Sequence, residues 1–167
     1  AKCLETRIIV TASGAKHDLC LKLGADYAID YKKEAFDEIV LKLTNGKGVN
    51  VIIDFLAAAY WNQNLRALGM EGRMVMLALM GGAKVKTTSL ASILVKRLRI
   101  EGSTLRARSL DYKIRLTQDF YHYAAPLFEA KKLKPVIDRI MPWTEVSNAH
   151  RYMEANKSRG KIVLKIR

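Results

Sequence analysis

Two residues near the start of the chain have the types and spacing to hold an anion. In "VTASGAKHD" (10–18), Ser13 offers a hydroxyl and Lys16 an ammonium three positions later. A hydroxyl and a cation converging on one point make charge-assisted hydrogen bonds to an anion. A structural reading stands beside it, in which Ser13 caps a helix and Lys16 is a solvated side chain. The other residues that commonly do chemistry are dispersed. Cys3 and Cys20 have no C-x-x-C spacing, and His17, His122 and His150 have no paired ligand spacing. Zinc takes about four ligands, so no metal site is expected.

The charge balance favours anionic partners without choosing among them. The chain carries 29 Lys plus Arg against 16 Asp plus Glu, a formal net charge of +13. Such an excess attracts nucleotides, nucleic acids and acidic surfaces alike. The cations are spread along the chain, as in "VKRLR" (95–99), "RAR" (106–108) and "EAKKLK" (129–134). They lack the aromatic interleaving of an RNA-stacking module, so RNA is the weaker expectation and solvated faces the simpler one. No uninterrupted apolar run approaches the length of about 18 that a membrane span needs. The start "AKCLETR" lacks the plan of a signal peptide, which makes the cytoplasm the default compartment and a membrane partner unexpected.

The elements that must position Ser13 and Lys16 alternate in type. Arg7 to Ala12 is a short β-branched run that stops at small polar residues, which predicts a strand followed by a helix opening at Ser13 and Gly14. That helix carries Leu19, Leu21 and Leu23, ends at Gly24, and leads to an extended "DYAID" (26–30). Phe36, Ile39, Val40 and Leu43 fall on one helical face before "TNGKG" (44–48). "VNVIIDF" (49–55) predicts a strand, "YWNQNLRAL" (60–68) a helix and "GRMVMLAL" (72–79) a strand. "SLASILVKR" (89–97) then predicts a helix and "LRIEGSTL" (98–105) an extended segment. Apolar strands separated by single helices predict an α/β domain with a doubly wound parallel sheet covered on both faces.

The last third changes character. A long helix over 109–132 contains Pro126, expected to bend or interrupt it. "PVIDRIMPW" (135–143) alternates like a half-exposed strand, Thr144 is a candidate cap for a helix over 144–157, and "GKIVLKI" (160–166) closes with a strand. The division expected is a partial dinucleotide-binding domain over 1–132 and a C-terminal segment over 133–167. A doubly wound nucleotide domain opens with a strand, a G-x-G-x-x-G turn and a helix that holds the pyrophosphate. "AKCLET" is too short for that and has no glycine, so the chain reads as starting inside the fold, on the tail of that first helix.

Five blocks carry a family resemblance: "VTASGAKHDLCLKLGADYAIDYKKEAF", "LTNGKGVNVIIDF", "YWNQNLRALGMEGRMVMLALMGG", "STLRARSLDYK" and "PVIDRIMPWTEVSNAHRYMEANKSRGKIVLKI". In collinear order they resemble the C-terminal half of the zeta-crystallin and quinone oxidoreductase branch of the medium-chain dehydrogenases/reductases. The resemblance implies a Rossmann-like sheet lacking its first strand and glycine-rich turn, with C-terminal strands that belong to an absent GroES-like domain. It implies NADP as cofactor, no catalytic zinc, and hydride transfer from NADPH to a quinone or other small α,β-unsaturated carbonyl. An enoyl or alkenal reductase of the same family, or a noncatalytic basic RNA-binding fragment, is the alternative.

The resemblance also assigns residues. Where a dinucleotide-binding strand usually ends in a carboxylate for the adenosine ribose, it places Ser13 and Lys16 on a 2′-phosphate, with Tyr31 completing the pocket. Each such bond to a phosphate contributes about 1.5–3 kcal/mol. It places Leu56 and Ala57 at the nicotinamide ribose, and Leu79, Met80 and Gly81 beside the nicotinamide. Ser103, Thr104 and Leu105 flank the other side, and Asn156 lies in a segment closing over the cofactor. The family often has Gly-Gly at Ala57-Ala58 and Gly-Ser near Ser13-Gly14. It implies a homodimer paired through the edge at 98–105, and it implies that this chain alone is inactive. No catalytic residue is assigned, because the opposite wall of the cleft lies in the absent half.

Overall fold

A computed structural model describes all residues, 1–167. It resolves into two compact units, Ala1–Lys113 and Ile114–Arg167. In the first unit β1 (Ile9–Ala12), α1 (His17–Lys22), β2 (Tyr27–Asp30), α2 (Phe36–Leu43) and β3 (Val49–Asp54) alternate. They are followed by α3 (Trp61–Ala67), β4 (Leu68–Met76), α4 (Ala91–Val95) and β5 (Arg99–Gly102). Every strand pair is parallel, in two sheets ordered β1-β2 and β3-β4-β5. A doubly wound sheet runs 3-2-1-4-5-6; without its first strand it leaves a 3-2 pair and a 4-5-6 triplet, the partition seen here.

One helix serves both sheets. Ile29, Phe36, Val40 and Ala67 form the buried cluster, with Ile9, Ile39, Val49, Ile52 and Tyr60 packed around it. α2 contributes Phe36, Ile39 and Val40, so its apolar face meets β1, β2 and β3 together. Burying a side chain of the size of Phe36 or Val40 stabilises by about 1.5–3 kcal/mol. At the foot of the same helix Asp37 is buried, and its Oδ2 accepts a hydrogen bond from Arg66 Nε at 2.6 Å. The far end of α3 is closed by Lys96, whose Nζ donates to the carbonyls of Leu65, Arg66 and Leu68 at 3.0, 3.0 and 2.7 Å. A cation there satisfies carbonyls the helix leaves unpaired. Burial nonetheless pulls the Lys96 ammonium below the usual lysine range.

The two-sided burial expected for the strands is not met in β3. Val51 and Ile53 are 56% and 61% exposed, and Phe55 just past the strand end 50%, because α2 and α3 cover one face and the other stays open. β4 also starts four residues earlier than the periodicity predicts. Leu68 pairs with Val49 ahead of a register shift, and the chains touch at two glycines: a Cβ on Gly48 would stand 2.6 Å from Gly69 N.

In the second unit, α5 (Leu110–Glu129) runs on from the first unit and passes through Pro126 without a break. Proline removes one amide donor, and here the Ala130 N–H still reaches the Pro126 carbonyl at 3.0 Å. β6 (Ile137–Pro142) and β7 (Lys161–Lys165) pair in parallel around α6 (Val146–Glu154). Arg139 of β6 lies 3.9 Å above the Tyr152 ring of α6, a cation–π contact that ties helix to sheet. Thr144 is not the cap of α6. It sits inside a 3-10 turn, Trp143–Glu145, so the helix starts two residues later, from Glu145 and with no side-chain cap.

Candidate functional site

The turn after β1 comes first. β1 ends at Ala12, level with Asp30 at the end of β2. Ser13 is extended (φ −66°, ψ 145°) and precedes a 3-10 turn, Gly14–Lys16. Its hydroxyl makes no cap hydrogen bond; the turn is closed by the backbone, with Lys16 N–H donating to Ser13 O at 2.8 Å. The helix-cap reading of Ser13 therefore does not describe this turn. Lys16 is half-buried, and α1 is moored to the strand by His17 Nε2, 3.1 Å from Ala12 O. Tyr31 is half-buried and meets the Tyr60 ring edge-on at 6.2 Å, while Tyr60 meets Phe36 at 5.6 Å. Burial, with a smaller contribution from Tyr31, raises the Tyr60 phenol above its usual range.

A carboxylate lies at this turn that the sequence analysis did not count. Asp30 Oδ2 stands 3.1 Å from where a Cβ on Gly14 would be. The signal was present in "AIDYK": reading 26–30 as a strand parallel to 7–12 puts Asp30 at the same sheet edge as Ser13.

The loops after β3 and β4 form a second cluster. Asp54, 6% exposed, accepts Leu56 N–H at 2.9 Å on one oxygen and Ala57 N–H at 3.0 Å on the other. Three backbone bonds then lace the two loops: Met80 N–H to Phe55 O at 3.0 Å, Gly81 N–H to Leu56 O at 2.9 Å and Ala58 N–H to Gly82 O at 3.1 Å. Gly81 permits this approach, since a Cβ there would stand 2.6 Å from Leu56 O and 2.7 Å from the Ala59 methyl. Ala57 is left-handed at φ 55°, a conformation that costs a side chain about 1–2 kcal/mol and that glycine takes freely. A glycine here, as the resemblance implies for the family, would be free of that cost.

The structure thus brings Leu56, Ala57, Leu79, Met80 and Gly81 into one wall. Ser103 joins its side through an N–H bond to Met76 O at 2.9 Å, and Thr104 and Leu105 follow it, both exposed. Asn156 belongs to the second unit, where its left-handed backbone (φ 53°) closes α6 through N–H to Met153 O at 2.9 Å. All the first-unit residues sit beyond the C-terminal ends of parallel strands, where open α/β sheets bind ligands. They offer hydroxyls, one side-chain cation, backbone groups and an apolar wall, and no nucleophile–base pair. No group of three or more His, Cys, Asp or Glu is placed to hold a metal ion, and no helix is long and apolar enough to cross a membrane.

The family model described as zinc-binding dehydrogenase matches residues 23–164. The zinc this description implies has no fitting ligand set in this chain. Quinone oxidoreductase-like protein 2 of Bos taurus is 26% identical over 98% of this chain and 47% of its own length. A 2-haloacrylate reductase from Burkholderia is 29% identical over 98% of this chain and 49% of its own length. Among solved structures, an NAD-dependent alcohol dehydrogenase superposes with TM-score 0.81 at 28% identity, over all of this chain and 46% of that one. A mycobacterial quinone oxidoreductase superposes with TM-score 0.76 at 26% identity, over 98% of this chain and 50% of that one. The chain spans about half the length of the relatives it matches. With parallel strand order, strand-end loops and family match in agreement, this chain belongs to the zinc-binding dehydrogenase family of medium-chain dehydrogenases/reductases.

Proposed function

We propose that this chain is the NADPH-binding part of a zinc-independent oxidoreductase that reduces quinones or related α,β-unsaturated carbonyls. The observation that carries this reading is the turn at Ser13–Lys16. It ends a parallel strand with a hydroxyl that caps no helix, three residues from a half-buried lysine. Lys16, Ser13 and Tyr31 bind the 2′-phosphate of the adenosine half. Leu56, Ala57, Leu79, Met80 and Gly81 form the wall against which the nicotinamide half is oriented, with Ser103, Thr104 and Leu105 at its flank. Bound NADPH supplies the hydride, and the protein's part is to position it. The 2-haloacrylate reductase among the relatives supports an acceptor class broader than quinones.

Residues 133–167 return to a GroES-like half that forms the other wall of the cleft, and the chain by itself does not turn over. β5 pairs only with β4, and its outer edge is the expected seam of a homodimer. The test is NADPH oxidation with an ortho-quinone, measured for residues 1–167 and for the same residues joined to a GroES-like half. Turnover only in the joined protein, faster with NADPH than with NADH, supports the reading. Equal use of the two cofactors, or equal rates with and without the second half, contradicts it.

A further inference from the structure

The carboxylate at the Ser13–Lys16 turn is not accounted for by a pocket built to attract phosphate. Asp30 is only 8% exposed and fixed on two sides. Its Oδ1 accepts Lys32 N–H at 3.1 Å, and its own N–H donates to Glu34 Oε2 at 3.1 Å. Parallel register sets it level with the last residue of β1, and Oδ2 is aimed at Gly14, between the two residues assigned to the anion. Gly14 has no side chain to stand between that oxygen and whatever the turn holds. A methyl group there would meet Oδ2 at 3.1 Å, tighter than ordinary contact, so glycine and carboxylate fit each other.

Resting on the assignment of the 2′-phosphate to Ser13 and Lys16, we propose that Asp30 is a specificity-determining residue that opposes that phosphate. A phosphate monoester carries a charge near −2 at neutral pH, and a carboxylate held at the same turn repels it. The repulsion falls on NADPH and spares NADH, whose ribose hydroxyls donate hydrogen bonds to a carboxylate. Asp30 therefore narrows the preference that Ser13, Lys16 and Tyr31 create, and the pocket admits both cofactors more evenly than those three residues alone would allow. Lys32 and Lys33 follow Asp30 in sequence and are exposed, so their charges are screened by solvent more strongly than the buried carboxylate.

The test uses 2′,5′-ADP and 5′-AMP, which differ only in the 2′-phosphate, titrated into the 167-residue chain and its Asp30→Asn variant. Asparagine keeps an acceptor for Lys32 N–H. The expected result is tighter 2′,5′-ADP binding by about tenfold, with 5′-AMP changed by less than about twofold. Unchanged or weaker 2′,5′-ADP binding overturns the proposal, weaker binding showing that Asp30 supports Lys16 instead. Should Asp30→Asn fail to fold by circular dichroism, Asp30→Ser carries the same prediction. Failure of the pocket assignment reads differently: the unsubstituted chain then binds both probes equally and Lys16→Ala changes neither, which takes the proposal down with it.

Discussion

The turn after β1 and the paired loops after β3 and β4 both stand at strand ends, yet they are built by opposite means. The first is polar: one backbone bond, Lys16 N–H to Ser13 O, closes it, His17 Nε2 lies 3.1 Å from Ala12 O, and the Asp30 carboxylate stands beside Gly14. The second is laced by three inter-loop backbone bonds and two to Asp54, and it accepts a left-handed alanine to do so. On the proposed reading, selectivity falls to the first and rigidity to the second. Substitutions in the laced loops should move stability, and substitutions in the polar turn should move ligand preference with stability nearly fixed.

The largest effect is expected at Gly81. Gly81→Val drives atoms into Leu56 O and the Ala59 methyl and separates the loops, a loss of about 3 kcal/mol in denaturant unfolding. A loss below 0.5 kcal/mol, as ordinarily found at open surface positions, would show that the lacing is not structural. Next is Asp54→Ala, which strands two amide donors at a buried position and should cost about 2 kcal/mol. Ala57→Gly should act in the opposite sense, stabilising by about 1 kcal/mol as the left-handed strain is relieved. Ser13→Ala, by contrast, should leave the melting temperature within error, since the hydroxyl caps nothing, while weakening 2′,5′-ADP.

The smallest effect concerns pH and lies outside both loops. Asp26 sits below the usual carboxylate range, held there first by Ile8 N–H and then by Lys2. Its folded pKa being depressed, its contribution is full above the ordinary aspartate range and is lost as pH falls through the lowered value. Asp26→Asn should therefore lower stability slightly at neutral pH, change it less at acid pH, and so flatten the acid limb of the stability profile. An acid limb that is unaltered would remove Asp26 from the account.

Much of the fold was legible because period and punctuation agree. Phe36, Ile39 and Val40 share the face that α2 buries, and Gly24, left-handed at φ 99°, stops α1 where expected. The failures have physical causes. A strand read as starting at Gly72 cannot anticipate that Leu68 pairs with Val49 across glycines that let two chains touch. Thr144 satisfies the local rule for a cap, but the 3-10 turn moved the helix start past it. In the site, Ser13 and Lys16 were visible as types at a spacing. Asp30 was overlooked because its role depends on register, which a residue-by-residue reading of β1 does not include.

The central claim is that the Ser13–Lys16 turn receives a phosphate that distinguishes NADPH from NADH. The most direct measurement is calorimetric titration of both cofactors into the protein and its Lys16→Ala variant. NADPH binding should weaken by about 1.5–3 kcal/mol with NADH nearly unchanged. Equal losses for the two cofactors would contradict the claim.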